Sequence, residues 1–148
     1  MGLRYNIGAG DKPIKGWENL DMGDDITLKK QLSADIIYTS HFLEYFDKTE
    51  VFGLLTMWYC ALKPDGILQI SVPNFAKVVE IYQNEGIIMD GALYGKMGLE
   101  PIYHKSTFDK KTLREALLLA GFRNVKEFDP FHDDCSKDPI SLNLQCRK

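Results

Sequence analysis

The chain has 148 residues, of which 45% are hydrophobic and 26% charged, as is usual for a single globular domain, here residues 1–148. A net charge of −3 without a basic block argues against nucleic acid as a partner, and no apolar run is long enough to span a membrane. The sequence does not begin with the pattern of a signal peptide. Three widely spaced cysteines indicate reduced thiols and no metal site, so we expect a cytoplasmic protein.

The spacing of apolar residues predicts alternating strands and helices. The predicted elements are strands at 3–7, 17–22 and 34–40, a helix at 48–62, a strand at 67–73, helices at 75–83 and 110–120, and strands at 124–128 and 141–146. Strands separated by helices favour an α/β fold with a parallel sheet covered by helices.

Helix-capping residues mark the predicted helix starts. Asp47, with a glutamate three residues later, has the pattern of a capping box. Asn74 and Asp109 can each cap the helix that follows them. In the helix after Asn74, Val78-Val79 and Tyr82 are expected to face inward at helical spacing.

The Gly8-Ala9-Gly10 turn follows the first predicted strand directly. Ligands of parallel sheets bind beyond the carboxyl ends of the strands, and glycine lets backbone N–H groups approach a ligand without a Cβ in the way. A G-x-G turn is also an ordinary way to end a strand. Asp21, after the second strand, could accept hydrogen bonds from ribose hydroxyls or be a solvated turn residue.

Only residues 11–16 separate the glycine turn from Trp17. A helix with two loops does not fit, but six extended residues reach roughly 20 Å. We therefore predict an extended return to the other end of the sheet. Any helix before the first strand is also expected to be missing, and an apolar face left uncovered in this way would favour a homodimer.

Residues 84–103 contain four glycines, which break any long helix. Together with the residues up to 108, this segment is expected to form a mobile cap that selects the substrate. The alternative is a plain flexible connection.

Several segments together resemble the compact members of the class I S-adenosylmethionine-dependent methyltransferases. They are YNIGAG (5–10), GWENLD (16–21), SADIIYTSHFLEYF (33–46), LKPDGILQISVPN (62–74) and HKSTFDKKTLREALLLAGFRNV (104–125). The resemblance covers nearly the whole chain. It implies a Rossmann-like methyltransferase sheet, mostly parallel with an antiparallel terminal strand. The short connection at 11–16 and the early first strand indicate that the N-terminal helices of this sheet are trimmed. The resemblance also implies an enzyme that uses S-adenosyl-L-methionine as its methyl donor.

By position, the resemblance also implies which residues contact the donor. They are Gly8, Ala9, Gly10, Asp21, Met22, Asp25 and Ser40. The glycine turn would lie under the amino-acid end of the donor, and Asp21 would hold the ribose. Met22 would pack on the adenine edge, Asp25 would reach the adenine amino group, and Ser40 would lie beside the methionine portion.

The sequence also departs from the family pattern. Ala9 stands where a cysteine is common, and Tyr45 stands where many compact relatives have the second histidine of H-x-L-E-H. The change at Tyr45 could alter a substrate contact. Because the two glycines and Asp21 are intact, donor binding is expected to be retained.

Transfer of a sulfonium methyl group needs mainly in-line placement of the nucleophile, with a general base for a hydroxyl or an amine. His41 could be that base or a turn histidine bonded to the backbone. His104 could reach over the site or be an exposed loop residue. Glu44 is expected to hold the turn before the helix. Tyr5 and Tyr38 could face the sulfonium cation, but core packing is the stronger expectation for both.

The sequence therefore predicts methyl transfer to a small molecule with a hydroxyl or amine group, such as a sugar. One alternative is a non-catalytic module that binds S-adenosylmethionine but has lost the chemistry. A second is a nicotinamide dehydrogenase, which is disfavoured because the third glycine of the dinucleotide motif is missing.

Overall fold

The computed structural model describes residues 2–28 and 33–148. Its strands are β1 (Leu3–Ile7), β2 (Glu18–Leu20), β3 (Ala34–Ser40), β4 (Leu62–Pro73), β5 (Gly95–Lys96), β6 (Ile102–Tyr103), β7 (Arg123–Glu127) and β8 (Ser141–Arg147). Its α-helices are α1 (Lys48–Ala61), α2 (Phe75–Glu85), α3 (Asp90–Tyr94) and α4 (Lys110–Leu119). Across the described ranges, no helix combines the length and apolar composition that crossing a membrane requires.

The centre of the fold is a six-stranded sheet in the order β2-β1-β3-β4-β8-β7. The first four of these strands pair in parallel, and β8 pairs antiparallel with both β4 and β7. This confirms the predicted mostly parallel α/β sheet with an antiparallel terminal strand. β4 is longer than the strand predicted at 67–73, because Pro64-Asp65-Gly66, with Asp65 at φ 61°, forms an irregularity within the strand.

Helices α1 and α4 pack against the apolar face of the sheet. The Asp47 carboxylate accepts from the N–H of Glu50, and the Glu50 side chain accepts from the N–H of Asp47, which confirms the predicted capping box. Trp58 of α1 and both Leu113 and Leu117 of α4 are fully buried in this core.

Helix α2 differs from its prediction. Asn74 caps it, since its side chain accepts from the N–H of Ala76. Val78 is buried, but Tyr82 is 56% exposed, so the prediction that Tyr82 faces inward is wrong. The helix is attached through its first turn, where the Phe75 N–H donates to the carbonyl of Phe108, and its last turn extends into solvent.

The second face of the sheet is largely polar. Strand register and the alternation of side chains place Asn6, Tyr38, Gln69 and Gln145 in one row on this face. The Gln69 amide donates to Gln145, and the ring of Phe131 packs against Tyr38. An uncovered apolar face was the basis for expecting a homodimer, and this side of the described sheet does not provide one. The homodimer stays a prediction.

The connection between β1 and β2 is helix-free throughout residues 8–17, all of which the structure describes. This confirms the prediction that the return to β2 contains no helix, although turns at 10–11 and 15–16 flank its extended part. Asn19 holds the connection in place: its Oδ1 accepts from the N–H of Ile14 at 2.7 Å and from the Asn6 side-chain amide at 2.9 Å. Its Nδ2 donates to the carbonyls of Ile14 and Trp17. One side chain therefore fixes this short parallel crossover.

Asn19→Ala is expected to lower the free energy of unfolding by about 2 kcal/mol, because several hydrogen bonds are lost at an exposed site where water replaces part of each. Urea unfolding measures the change. Asn84→Ala, at the exposed end of α2, is the matched control and should change stability by no more than about 0.5 kcal/mol. Equal losses in the two variants would show that Asn19 does not fix the crossover.

Candidate functional site

A cavity of about 590 Å³ opens at the carboxyl ends of the parallel strands, a volume typical of small-molecule sites. The predicted site residues that line it are Gly8, Ala9, Gly10, Asp21, Met22, Ser40, His41 and His104. Asp25 is not among the lining residues, and its carboxylate accepts from the N–H and hydroxyl of Thr27 in an exposed turn. The predicted contact between Asp25 and adenine therefore stays a prediction.

The two glycines of the turn have different surroundings. Gly8 and Gly10 both have positive φ, 77° and 50°, which favours glycine. A Cβ at Gly8 would lie 2.5 Å from the ring of Phe42, whereas a Cβ at Gly10 would have no atom within 4 Å. Gly8 therefore allows close packing, and Gly10 faces open space.

The N–H groups of the glycine turn are used within the protein. Gly8 and Ala9 donate to the carbonyl of Leu20 at 2.8 and 3.0 Å, and Gly10 donates to Asp21 Oδ2 at 3.0 Å. The contact of this turn with the donor stays a prediction. The hydrogen bonds join the turn to the end of β2 and so position Asp21.

Both oxygens of the Asp21 carboxylate are held by backbone N–H groups. Oδ2 accepts from Gly10, and Oδ1 accepts from Met22 at 2.8 Å. Each carboxylate oxygen can accept a second hydrogen bond. The oriented group therefore keeps the capacity to bind two neighbouring hydroxyls.

Glu44 is a site residue whose role the sequence did not indicate. It lies in the 3₁₀ turn Leu43–Tyr45, lines the cavity and is 1% exposed. Neither carboxylate oxygen has a hydrogen-bond partner in the part of the chain that the structure describes. Burial raises the pKa of Glu44 to about 8. The turn is held instead by the Glu44 carbonyl, which accepts from the N–H groups of Lys105 and Ser106.

The hydrogen bonds of His41 define its tautomer. Nε2 lies 2.6 Å from Ser141 Oγ, and that hydroxyl donates to the carbonyl of Cys135. The hydroxyl must therefore accept from an Nε2–H, which leaves the lone pair on Nδ1, 3.9 Å from Glu44 Oε1. Burial lowers the pKa of His41 to about 4, against the opposing effect of two nearby aspartates, so the ring is neutral at neutral pH.

His104 approaches the same carboxylate from the cap. Its Nδ1 lies 3.0 Å from the carbonyl of Ala92. Since a carbonyl only accepts, Nδ1 carries the hydrogen, and the Nε2 lone pair lies 3.9 Å from Glu44 Oε1. The side chain is 7% exposed, so His104 is not an exposed loop residue. Burial lowers its pKa, and its ring packs edge-on against Tyr45.

Sequence reasoning also missed the loop before β8. Asp134 in this loop accepts from the Ser40 hydroxyl at 3.2 Å and from the Tyr38 hydroxyl at 2.7 Å. Tyr38 is therefore bonded behind the cavity, and Tyr5 packs against the core. Neither tyrosine is a lining residue, so their core placement agrees with the stronger expectation.

The cap segment 84–108 contributes six residues to the cavity wall: Gly91, Ala92, Gly95, Lys96, Ile102 and His104. Its role in substrate choice stays a prediction. The charged side chains in the lining are Asp11, Asp21, Glu44, Asp134, Asp138, Lys12 and Lys96, so acidic groups outnumber basic ones. Within residues 2–28 and 33–148, no three His, Cys, Asp or Glu side chains are arranged to hold a metal ion.

Solved structures that match this fold include methyltransferases. A SAM-dependent methyltransferase from Archaeoglobus fulgidus matches 99% of this chain and 86% of its own, with a TM-score of 0.61 and 17% identity. A possible histamine N-methyltransferase from Thermotoga maritima matches 99% of this chain and 82% of its own, with a TM-score of 0.60 and 16% identity. Human N-acetylserotonin methyltransferase in complex with SAM matches 99% of this chain but only 40% of its own, with a TM-score of 0.60 and 15% identity.

No protein-family model and no curated protein matches the sequence. The chain has the class I fold of S-adenosylmethionine-dependent methyltransferases.

Proposed function

We propose that the protein transfers a methyl group from S-adenosyl-L-methionine to a small molecule that presents a hydroxyl or an amine. The observation that carries the proposal is the convergence, in one cavity, of a ribose-type carboxylate at Asp21 and the group His41, Glu44 and His104. The first suits a nucleoside, and the second suits an acceptor that must lose a proton.

The cavity fits the methyl donor in shape and in charge. Gly10 leaves open the space that a Cβ would fill, and Asp21 can still bind two hydroxyls. Met22, 52% exposed, offers an apolar side chain at the rim, where adenine would pack. The excess of acidic groups favours a ligand that carries sulfonium and ammonium charges. When bound, S-adenosylmethionine supplies a methyl group on a positively charged sulfur.

The protein's contribution is then to place the acceptor and to take its proton. Both histidine rings are neutral at neutral pH. His41 Nδ1 and His104 Nε2 each carry a lone pair and lie near the same carboxylate oxygen. We assign the general base to His41, at the end of β3, and a contact with the acceptor to His104. The cap segment around His104 covers the cavity and would restrict the acceptors that enter it.

Asp21→Ala is expected to weaken binding of S-adenosylhomocysteine by about 1.5–3 kcal/mol, the usual contribution of hydrogen bonds to a charged group. Calorimetry measures the dissociation constant, and Asp129→Ala, at an exposed position outside the cavity lining, is the control. An unchanged constant in Asp21→Ala would refute the ribose assignment.

The wild-type titration tests the proposed function itself. Absence of any S-adenosylhomocysteine binding at millimolar concentration would overturn it, and binding of NAD instead would favour a dehydrogenase. Binding without turnover across a screen of hydroxyl and amine compounds, sugars included, would favour the non-catalytic module.

A further inference from the structure

We propose that the methyl acceptor is a primary amine, and that Glu44, His41 and His104 together bind its ammonium group. This inference rests on the proposed methyl transfer and narrows its acceptor from two chemical classes to one. It also gives Glu44 a direct role beside the two histidines.

The argument begins with the direction of the hydrogen bonds. His41 uses Nε2–H toward Ser141, and His104 uses Nδ1–H toward the carbonyl of Ala92. The free nitrogen of each ring is therefore an acceptor. Both free nitrogens lie 3.9 Å from the same oxygen, Glu44 Oε1, which is too far for a direct hydrogen bond. All three side chains line the cavity, and none of these three atoms receives a hydrogen bond from the residues that the structure describes.

The Glu44 side chain is the independent sign of a ligand. It is 1% exposed, and neither oxygen has a hydrogen-bond partner within residues 2–28 and 33–148. A buried carboxyl group without a partner is costly in either protonation state, so a group that arrives with N–H donors gains more here than at a satisfied site. Because Glu44 also lines the cavity, a small molecule can reach it.

A primary ammonium group matches this arrangement better than a hydroxyl does. An ammonium has three N–H donors and a positive charge, so it can satisfy both ring nitrogens and the carboxylate at once. A hydroxyl has a single hydrogen to donate and would leave two acceptors unpaired. The acidic excess in the cavity lining adds a long-range preference for a cation.

The ionisation state of Glu44 supports a proton release on binding, in which the ammonium group of the amine replaces the proton of the carboxyl group. Burial raises the pKa of Glu44 to about 8, so without ligand the carboxyl group is mostly protonated at neutral pH. The titratable groups that face it are His41, His104, Tyr45 and Cys135, and none of them is a cation at that pH. A bound ammonium favours the carboxylate form, so binding releases close to one proton from Glu44 to solvent.

The chemical step balances with these groups. His41 Nδ1 takes one proton from the ammonium nitrogen, which leaves a neutral amine with a free lone pair, and the Glu44 carboxylate stabilises the imidazolium that forms. That lone pair forms the new N–C bond while the electrons of the C–S bond move to sulfur. The positive charge of the sulfonium ends on the secondary ammonium product, and the total charge is unchanged. The adjacent carboxylate raises the pKa of His41 toward neutrality once the ligand is bound, which suits the role of a general base.

The test uses methylammonium as the smallest probe and methanol as its neutral counterpart of similar size, added to the protein saturated with S-adenosylhomocysteine. Long-range ¹H–¹⁵N NMR is expected to show the Nε2–H tautomer for His41 and the Nδ1–H tautomer for His104. Methylammonium should shift both ring signals with at least roughly tenfold higher affinity than methanol, since only it pairs with the charge. Calorimetry in buffers of different ionisation enthalpy should show proton release.

Glu44→Gln is the decisive variant, because it keeps the shape of the side chain, removes the charge and places N–H donors beside the two ring nitrogens. It should abolish the methylammonium response while the affinity for S-adenosylhomocysteine stays within about twofold. Glu80→Gln, on the exposed side of α2, is the matched control and should behave as wild type. Circular dichroism checks that each variant is folded.

Three results would overturn the inference: opposite tautomers, equal binding of methanol and methylammonium, or a Glu44→Gln variant that still binds methylammonium. A fourth would reassign Glu44 to the donor, namely a Glu44→Gln variant that loses S-adenosylhomocysteine and methylammonium together. Failure of the proposed function is distinct from all of these, because it would appear as a wild-type protein that does not bind S-adenosylhomocysteine.

Discussion

Gly8→Ala is expected to lower the free energy of unfolding by about 2–5 kcal/mol. An alanine at φ 77° pays roughly 1–2 kcal/mol for the left-handed backbone. Its Cβ would also lie 2.5 Å from the ring of Phe42, which is 3% exposed and has little room to move. Overpacking of this kind costs about 1–3 kcal/mol. Urea unfolding measures the sum.

Gly10→Ala separates the two contributions. Gly10 has φ 50° but open space around its missing Cβ, so only the backbone cost of roughly 1–2 kcal/mol applies. The new methyl group would occupy the cavity, and we expect weaker binding of S-adenosylhomocysteine with most of the stability retained. Equal destabilisation by the two variants would show that contact with Phe42 is not the reason for glycine at position 8.

The parts of the fold that the sequence predicts well depend on neighbouring residues. The caps at Asp47, Asn74 and Asp109 form hydrogen bonds within three residues of themselves, so their patterns can be recognised in a short window. The alternation of apolar residues that predicts the strand before Gly8 is also visible within a short window. The extended return to β2 was predicted from chain length alone, because six residues leave no room for a helix.

The parts that the sequence does not predict depend on distant residues. Glu44 is enclosed by the cap, whose Lys105 and Ser106 donate to its carbonyl. His41 and Ser40 are bonded to Ser141 and Asp134, which lie 100 and 94 positions later. No local pattern of charge or hydrophobicity predicts these pairings. From the sequence alone, Glu44 in FLEYF is therefore interpreted as a residue that holds a turn.

The exposure of Tyr82 is another feature that depends on distant residues and that the sequence pattern does not predict. Helical spacing correctly groups Val78 and Tyr82 on one side of α2, but it does not show how far along the helix the rest of the fold extends. Val78 is buried and Tyr82 is exposed, because only the first turn of α2 is attached. Periodicity therefore predicts a face, and tertiary structure decides how much of that face is covered.

His41→Ala is expected to slow methyl transfer by about 10²–10⁴-fold, the usual effect of losing a general base, with the affinity for S-adenosylhomocysteine nearly unchanged. The free Nδ1 faces Glu44 on the acceptor side of the cavity, so its loss should not disturb Asp21 or the glycine turn. Stability should fall by only about 1 kcal/mol, for the hydrogen bond to Ser141. The positive φ of 49° remains with alanine, so backbone strain does not change.

The pH dependence of stability gives this variant a second measurement. The pKa of His41 is lowered to about 4 in the folded protein, below its unfolded value, so the unfolded chain binds more protons between those two values. Stability should therefore fall as the pH drops through that interval, and His41→Ala should fall less steeply than wild type. Ser141→Ala is the control for orientation: it should slow turnover less than His41→Ala and leave the acid-induced loss in place. If His41 only fixes the turn, turnover, donor affinity and thermal stability should decline together in His41→Ala, which would refute its role as the base.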